Sequence, residues 1–194
     1  YGLFLYGLSY FMWVYFLDFK KYFTLRIADN KMRKMETKEH VIFWFSKLVY
    51  TALFIVLPIY KVGLLETVVG YSIIVLVTGI VISIVFQLAH VVEDLSFPTP
   101  DPLTNKIENE WAVHQIETTA NFATKSKLVS WYVGGLNFQV EHHLFPKISH
   151  VHYPQINKFV RETCEQFNLN YLEFPTMLGA VRSHLSHLKQ IGVA

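Results

Sequence analysis

Cysteine occurs once in the 194 residues, as Cys164, which excludes an intrachain disulfide framework. Charge is scarce as well. Asp, Glu, Lys and Arg make up 16% of the chain, where ordinary soluble domains carry about 25%. The net charge of +2 is too small and too locally placed for a nucleic-acid binder, so no nucleic-acid partner is expected. Repeats, low-complexity tracts and strand-like alternation are missing too. No basic segment precedes the opening apolar run, and the first residue is Tyr1. A signal peptide is therefore not expected, and the chain reads as a fragment or a processed piece. What is abundant is apolar: 52% hydrophobic and 16% aromatic residues, with a mean hydropathy of +0.29. That balance excludes a disordered chain and points to lipid contact. Nine histidines are many for this length.

Three stretches hold the apolar content: 1–17, 41–60 and 67–92. A spanning helix needs about 20 mainly apolar residues, so the second and third qualify. Lys47 is the one formal charge in 41–60, near enough to its start to snorkel toward headgroups. The linker Lys61 to Glu66 is short and predicts an antiparallel transmembrane hairpin. Lys20, Lys21, Arg26, Lys31, Arg33, Lys34 and Lys38 crowd the segment 18–40, whereas the turn carries only Lys61. The basic segment is thus expected on the cytoplasmic side, with everything after residue 92. The first stretch nearly crosses by length, yet its tyrosines and glycines equally suit a helix lying in the interface.

Residues 95–194 change character. Phe97-Pro98-Thr99-Pro100-Asp101-Pro102 cannot be helix interior. A helix is predicted over about 107–124, then a Gly134-Gly135 interruption and a short helix near 136–145 stopped by Pro146. Pro154 and Pro175 suit the first turns of two more helices. In the last, Leu178, Val181, Leu185 and Leu188 form an apolar stripe opposite Arg182, His184 and Lys189. The fold class expected is all-α integral membrane: a membrane region over 1–94 and a cytoplasmic helical region over 95–194, forming one catalytic domain.

The chemistry lies in Gln139-Val140-Glu141-His142-His143. On a helix, Gln139, His142 and His143 fall within an arc of roughly 100°, and Glu141 points nearly opposite. Imidazoles are the common ligands of iron and zinc near neutral pH. The competing reading of a His-His pair is solvated surface. His90 ends an uncharged spanning helix, where an ionisable group suggests function. Asp94 or Glu93 is placed to orient it, because a ligating imidazole usually donates its other N–H to a carboxylate or carbonyl. His114 and Glu117 are one turn apart, and an exposed amphipathic helix explains them as well. His150 and His152 read as loop surface; His40, His184 and His187 read as interfacial or solvated.

The run Gly134-Gly135-Leu136-Asn137-Phe138-Gln139-Val140-Glu141-His142-His143-Leu144-Phe145-Pro146 resembles the third histidine box of membrane fatty-acid desaturases, and its leading Gln resembles the front-end subgroup. Gln87-Leu88-Ala89-His90, Trp111 with Gln115, Thr118 to Phe122, and Ser149 to Pro154 extend the resemblance over nearly the whole chain. The resemblance implies two iron ions held by histidines from several boxes on the cytoplasmic face. His142 and His143 match box ligands, and His90 matches an additional ligand at the end of the last membrane helix. Gln139 stands where other subgroups carry His, binding through its amide oxygen or holding a water. His114, Gln115, Asn137, Glu93 and Asp94 fall behind the ligands at most. The boxes of the His-Asp-x-x-x-His and His-x-x-His-His kinds do not occur and are expected upstream of Tyr1. The chain thus resembles the C-terminal part of such an enzyme, and three His with one Gln are too few for two irons. No activity is expected of these residues alone. The haem-binding His-Pro-Gly-Gly pattern does not occur either. The parity of the boxes implies that 1–17 lies in the interface or re-enters without spanning.

The implied reaction introduces a cis double bond into an acyl chain, carried on CoA or a lipid, with O2 and two electrons from a cytochrome b or ferredoxin type donor. Phe138, Phe145 and Trp131 are candidate walls of an acyl tunnel, with plain packing as the alternative. The basic residues suit a headgroup, an acidic donor surface or a tether to membrane lipids. A related di-iron hydroxylase or ketolase is the alternative enzyme. A metal-free membrane scaffold is the alternative from another class. The common requirement is that the imidazoles of His90, His142 and His143 meet around a shared iron position.

Overall fold

The computed structural model describes residues 2–27 and 30–193, apart from the side chain of Leu3. Tyr1 of the first apolar stretch lies outside the described residues. The chain divides into two compact units, Tyr1–Ser83 and Ile84–Ala194.

In the first unit, α1 (Gly2–Met12) runs through a π-helical turn, Trp13–Leu17, into α2 (Asp18–Thr24). Leu25 ends it in the left-handed conformation, its N–H bonded to the Lys21 carbonyl. A two-residue antiparallel ladder, β1 (Arg26–Ile27) with β2 (Asn30–Lys31), follows. Then comes α3 (Thr37–Thr51), opened by a capping box between Glu36 and Glu39. A second π-helical turn, Ala52–Val56, joins α3 to α4 (Leu57–Val62). Pro58 explains that turn: without an N–H it cannot continue the ladder, and the wider turn absorbs the defect.

Thr37–Val62 and α5 (Leu64–His90) are each long and apolar enough to cross a membrane. Each begins earlier than the predicted 41–60 and 67–92, and the expected six-residue linker reduces to Gly63 at φ +101°. The charges delimiting that linker are at home inside helices. Lys61 sits in the last turn of α4 and Glu66 in the first turn of α5, where each favours the helix dipole.

Small residues and hydroxyls hold these helices together. A Cβ on Gly79 would lie 2.4 Å from the Gly7 carbonyl oxygen, so α1 and α5 touch backbone to backbone. Ser9 donates to the Gly79 carbonyl at 3.2 Å and lies 2.8 Å from Ser83. Four tyrosine hydroxyls form a chain: Tyr10 to Tyr50 at 3.1 Å, Tyr50 to Tyr71 at 2.9 Å, Tyr71 to Tyr15 at 2.9 Å. Lys47 does not snorkel outward as predicted. Its ammonium pairs with Asp18 at 2.8 Å and donates to the Val14 carbonyl at 2.9 Å, inside the wide π turn.

In the second unit, helix α5 ends at His90, and residues 91–110 are irregular. The predicted helix over 107–124 is only α6 (Trp111–Glu117), followed by β3 (Ala120–Phe122). Strand β3 pairs in parallel with β4 (Leu172–Phe174), Ala120 opposite Leu172. Three residues are too few to print an alternating pattern, which is why the ladder escaped prediction. Between them lie α7 (Lys127–Tyr132), α8 (Gln139–Leu144), a 3-10 turn at His150–His152 and α9 (Tyr153–Gln166). Pro154 occupies the first turn of α9. Pro175 instead precedes the Thr176 cap of α10 (Met177–Ile191).

Two small apolar clusters form the interior: Leu88, Phe122, Ala123 and Ala180, and Ile116, Val140, Val160 and Cys164. Of the apolar stripe predicted on α10, Val181 packs against the first of these clusters. Leu178 and Leu185 are exposed, while Ala180, Ser183 and His184 are buried. His184, predicted solvated, donates from Nδ1 to the Val91 carbonyl at 2.6 Å. Small and hydrogen-bonding residues let α10 lie close to the irregular chain after α5, and that fit outweighs hydropathy.

Candidate metal centre

The site is built where α5 stops. His90 is its last residue, and α6 and α8 bring Gln115 and His143 to it. Gly134 and Gly135, at φ +60° and +79°, turn the chain into α8. A Cβ on Gly135 would meet His150 at 2.7 Å, so the turn requires glycine twice over.

His143 Nε2 lies 3.3 Å from His90 Nε2, the rings at 80° to one another. His143 Nδ1 donates to Gln115 Oε1 at 2.9 Å. An amide oxygen only accepts, so the ring proton sits on Nδ1 and Nε2 presents its lone pair toward His90. His90 in turn donates to the Thr118 backbone carbonyl. Burial pushes the His143 pKa down to about 4, with the charges of His90 and His142 adding to it. Two neutral imidazoles facing one another at this separation suit a cation between them.

His142 takes another course. Its Nδ1 is 3.2 Å from the Tyr153 hydroxyl, and its ring stands edge-on to His143 with centroids 5.8 Å apart. Consecutive residues on a helix diverge by about 100°, so His142 and His143 address different partners. Among the described residues, no three His, Cys, Asp or Glu side chains gather as a metal site. His90 and His143 thus face one another, while the His142 ring turns to Tyr153. Gln139 is 2% exposed and its Nε2 has no hydrogen-bond partner among the described residues. A buried amide N–H2 left unpaired is costly, and it calls for an acceptor beside it.

The carboxylates expected behind His90 are elsewhere. Glu93 accepts from Ser186 at 2.6 Å and Gln190 at 2.7 Å, both on α10. Asp94 is exposed at φ +67°. The prediction had α5 continuing past residue 90, and its end there removes the common face. Asn137 is fully buried and clamps the turn, donating to Ser130 at 3.0 Å and Ala123 at 3.3 Å. His114 Nδ1 is buried without a hydrogen-bond partner among the described residues. Of the candidate tunnel walls, Trp131 is 78% exposed and Phe145 38%, whereas Phe138 is buried and borders a groove of about 410 Å³ that also touches Lys125, Asn157 and Arg161.

Sequence reasoning missed the back of α8. Glu141, fully buried, accepts from Asn121 at 2.7 Å and Asn157 at 3.0 Å. Burial raises its pKa, against the opposing hydrogen bonds of Asn121, Asn157 and Tyr171. Burial, then the charge of Glu141, also raises the pKa values of Tyr153 and Tyr171. A carboxylate opposite the histidines, next to apolar Val140, was the available signal.

The family of proteins described as fatty acid desaturase matches residues 1–175. The chain belongs to that family. Among its relatives, the acyl-lipid (8-3)-desaturase of Physcomitrium patens is 41% identical over 191 residues, covering 97% of this chain and 39% of that protein. The sn-1 linoleoyl-lipid 6-desaturase of Arthrospira platensis is 45% identical over 144 residues, 73% of this chain and 38% of that protein. The acyl-lipid (8-3)-desaturase B of Dictyostelium discoideum is 37% identical over 167 residues, 81% and 36%. The chain thus spans less than two fifths of the length of each of these relatives. These relatives are front-end desaturases. No solved structure matches.

Proposed function

We propose that this chain is the C-terminal part of a front-end desaturase that introduces a cis double bond into an acyl chain of a membrane lipid. The facing imidazoles of His90 and His143, 3.3 Å apart, carry the reading. His90, His142, His143 and Gln139 are the residues offered to two irons, the remaining ligands coming from histidine boxes outside these residues. Bound iron would supply the oxidising chemistry that an unactivated CH2–CH2 pair requires and no side-chain acid or base provides. In the balanced reaction, O2 takes two hydrogens from the acyl chain, two electrons from a cytochrome b or ferredoxin type carrier and two protons, leaving as two waters. The chain's own residues hold the ligands in place: Gln115 orients His143, the Thr118 carbonyl orients His90, and Tyr153 meets His142.

In this reading the helices Thr37–Val62 and Leu64–His90 cross the bilayer as a hairpin, with the basic segment 18–40 and residues after 92 on the cytoplasmic face. Residues 1–17 lie in the interface or re-enter without spanning.

The test is the full-length protein expressed in cells fed a polyunsaturated precursor, with iron quantified in the purified enzyme and products read by mass spectrometry. A new double bond on the carboxyl side of an existing one, with iron bound, is the expected result. A hydroxylated product, or a folded enzyme without iron, overturns the reading.

A further inference from the structure

We infer that Glu141 is a positioning residue: it fixes the histidine-bearing turn from behind, through a buried cluster with Asn121, Asn157 and Tyr171. The inference rests on the metal-site reading of His90 and His143 and names what makes that geometry reproducible.

Helix α8 has six residues, and a helix that short has little stability of its own. Its N-cap, Phe138, offers no side-chain cap. Instead Asn121, from β3, accepts from the Val140 N–H through Oδ1 at 2.9 Å and donates through Nδ2 to Glu141 Oε2 at 2.7 Å. From α9, Asn157 donates to Oε1 at 3.0 Å. Tyr171, just before β4, accepts from both amides at 2.6 Å and turns its own hydroxyl to Oε1 at 3.5 Å. Three separate elements therefore converge on one carboxylate, and each presents a donor to it. Residues 141 and 143 are about 200° apart around the helix, so a fixed Glu141 sets the angle at which His143 meets His90.

Stability alone does not explain this arrangement. Among the described residues no cation pairs with Glu141, and an unpaired buried charge is a poor stabiliser compared with an apolar side chain of similar volume. Orientation is a better reason, because a ligand must be held within about 0.5 Å of its productive position.

Glu141→Met in the full-length enzyme keeps the length of the side chain and removes both acceptor oxygens, leaving Asn121, Asn157 and Tyr171 without their common partner. The expected result is a folded protein whose iron content and activity fall about tenfold or more, with changed Mössbauer parameters. Glu141→Gln is the conservative variant: its Oε1 still accepts from Asn121, and its amide N–H2 donates to Asn157 Oδ1 once that side chain turns over, so a spectrum close to wild type is expected. Glu173→Gln, which alters a carboxylate paired with Arg161 at 2.9 Å, leaves the spectrum unchanged. An unaltered spectrum in Glu141→Met, or a folded Glu141→Gln no nearer to wild type than Glu141→Met, overturns the inference. If Glu141→Met does not fold, Tyr171→Phe decides: a shifted spectrum supports the inference and a wild-type one overturns it. If the wild-type enzyme holds no iron, the metal reading fails first, and the two failures are distinct.

Discussion

The unit Tyr1–Ser83 turns its large apolar side chains outward, while Ile84–Ala194 turns polar ones inward. Phe45, Leu48 and Leu65 are each at least 66% exposed, and the helices touch through Gly7, Gly79, Ser9 and Ser83. In the other unit Asn121, Asn137, Gln139, Glu141 and His184 are at most 2% exposed. In the proposed membrane reading the contrast follows from solvent. Apolar burial drives little association between helices surrounded by lipid, so close backbone approach and hydrogen bonds do the holding. Where water is the solvent, apolar clusters drive collapse and a polar group inside must be matched to its partners. Polar contacts therefore join helices in the first unit and orient imidazoles in the second.

Removing a ligand should have the largest effect. His143→Ala in the full-length enzyme is expected to lower product below detection while the protein still folds, read by mass spectrometry beside circular dichroism. Retained activity would remove the second unit's side of the comparison. Next is Gly79→Leu, which drives a side chain into the Gly7 carbonyl and should cost about 3 kcal/mol in thermal stability in detergent. Lys47→Met strands Asp18 in a half-buried site and should cost about 2 kcal/mol, most of it regained by adding Asp18→Asn. Failure of the double variant to recover would show that the ion pair is not what joins α2 and α3. The smallest effect is expected from Tyr50→Phe, which breaks the hydroxyl chain at its centre for about 1 kcal/mol.

Much was legible where a pattern repeats over many residues. Two long apolar helices, the basic segment between the apolar stretches and the Gly-Gly to Phe-Pro turn all stand in the sequence, because periodicity, charge and glycine act locally. The π turns, the three-residue ladder and the buried face of α10 were not legible. Each depends on a partner distant in the chain: Lys47 for the carbonyl of Val14, Leu172 for Ala120, Val91 for His184. Within the site, His90 and His143 were nameable by type and place. Glu141 was visible only as a residue facing away from them.

By itself the sequence determined the two long apolar helices, the helical class and the histidine-bearing turn, because these are properties of neighbouring residues. The tertiary structure alone decided which imidazole faces His90, which carboxylate stands behind the turn and where Lys47 finds its partners. Those outcomes are set by distances of about 3 Å between groups up to 53 residues apart, and hydrogen-bond geometry at that range is decided by packing.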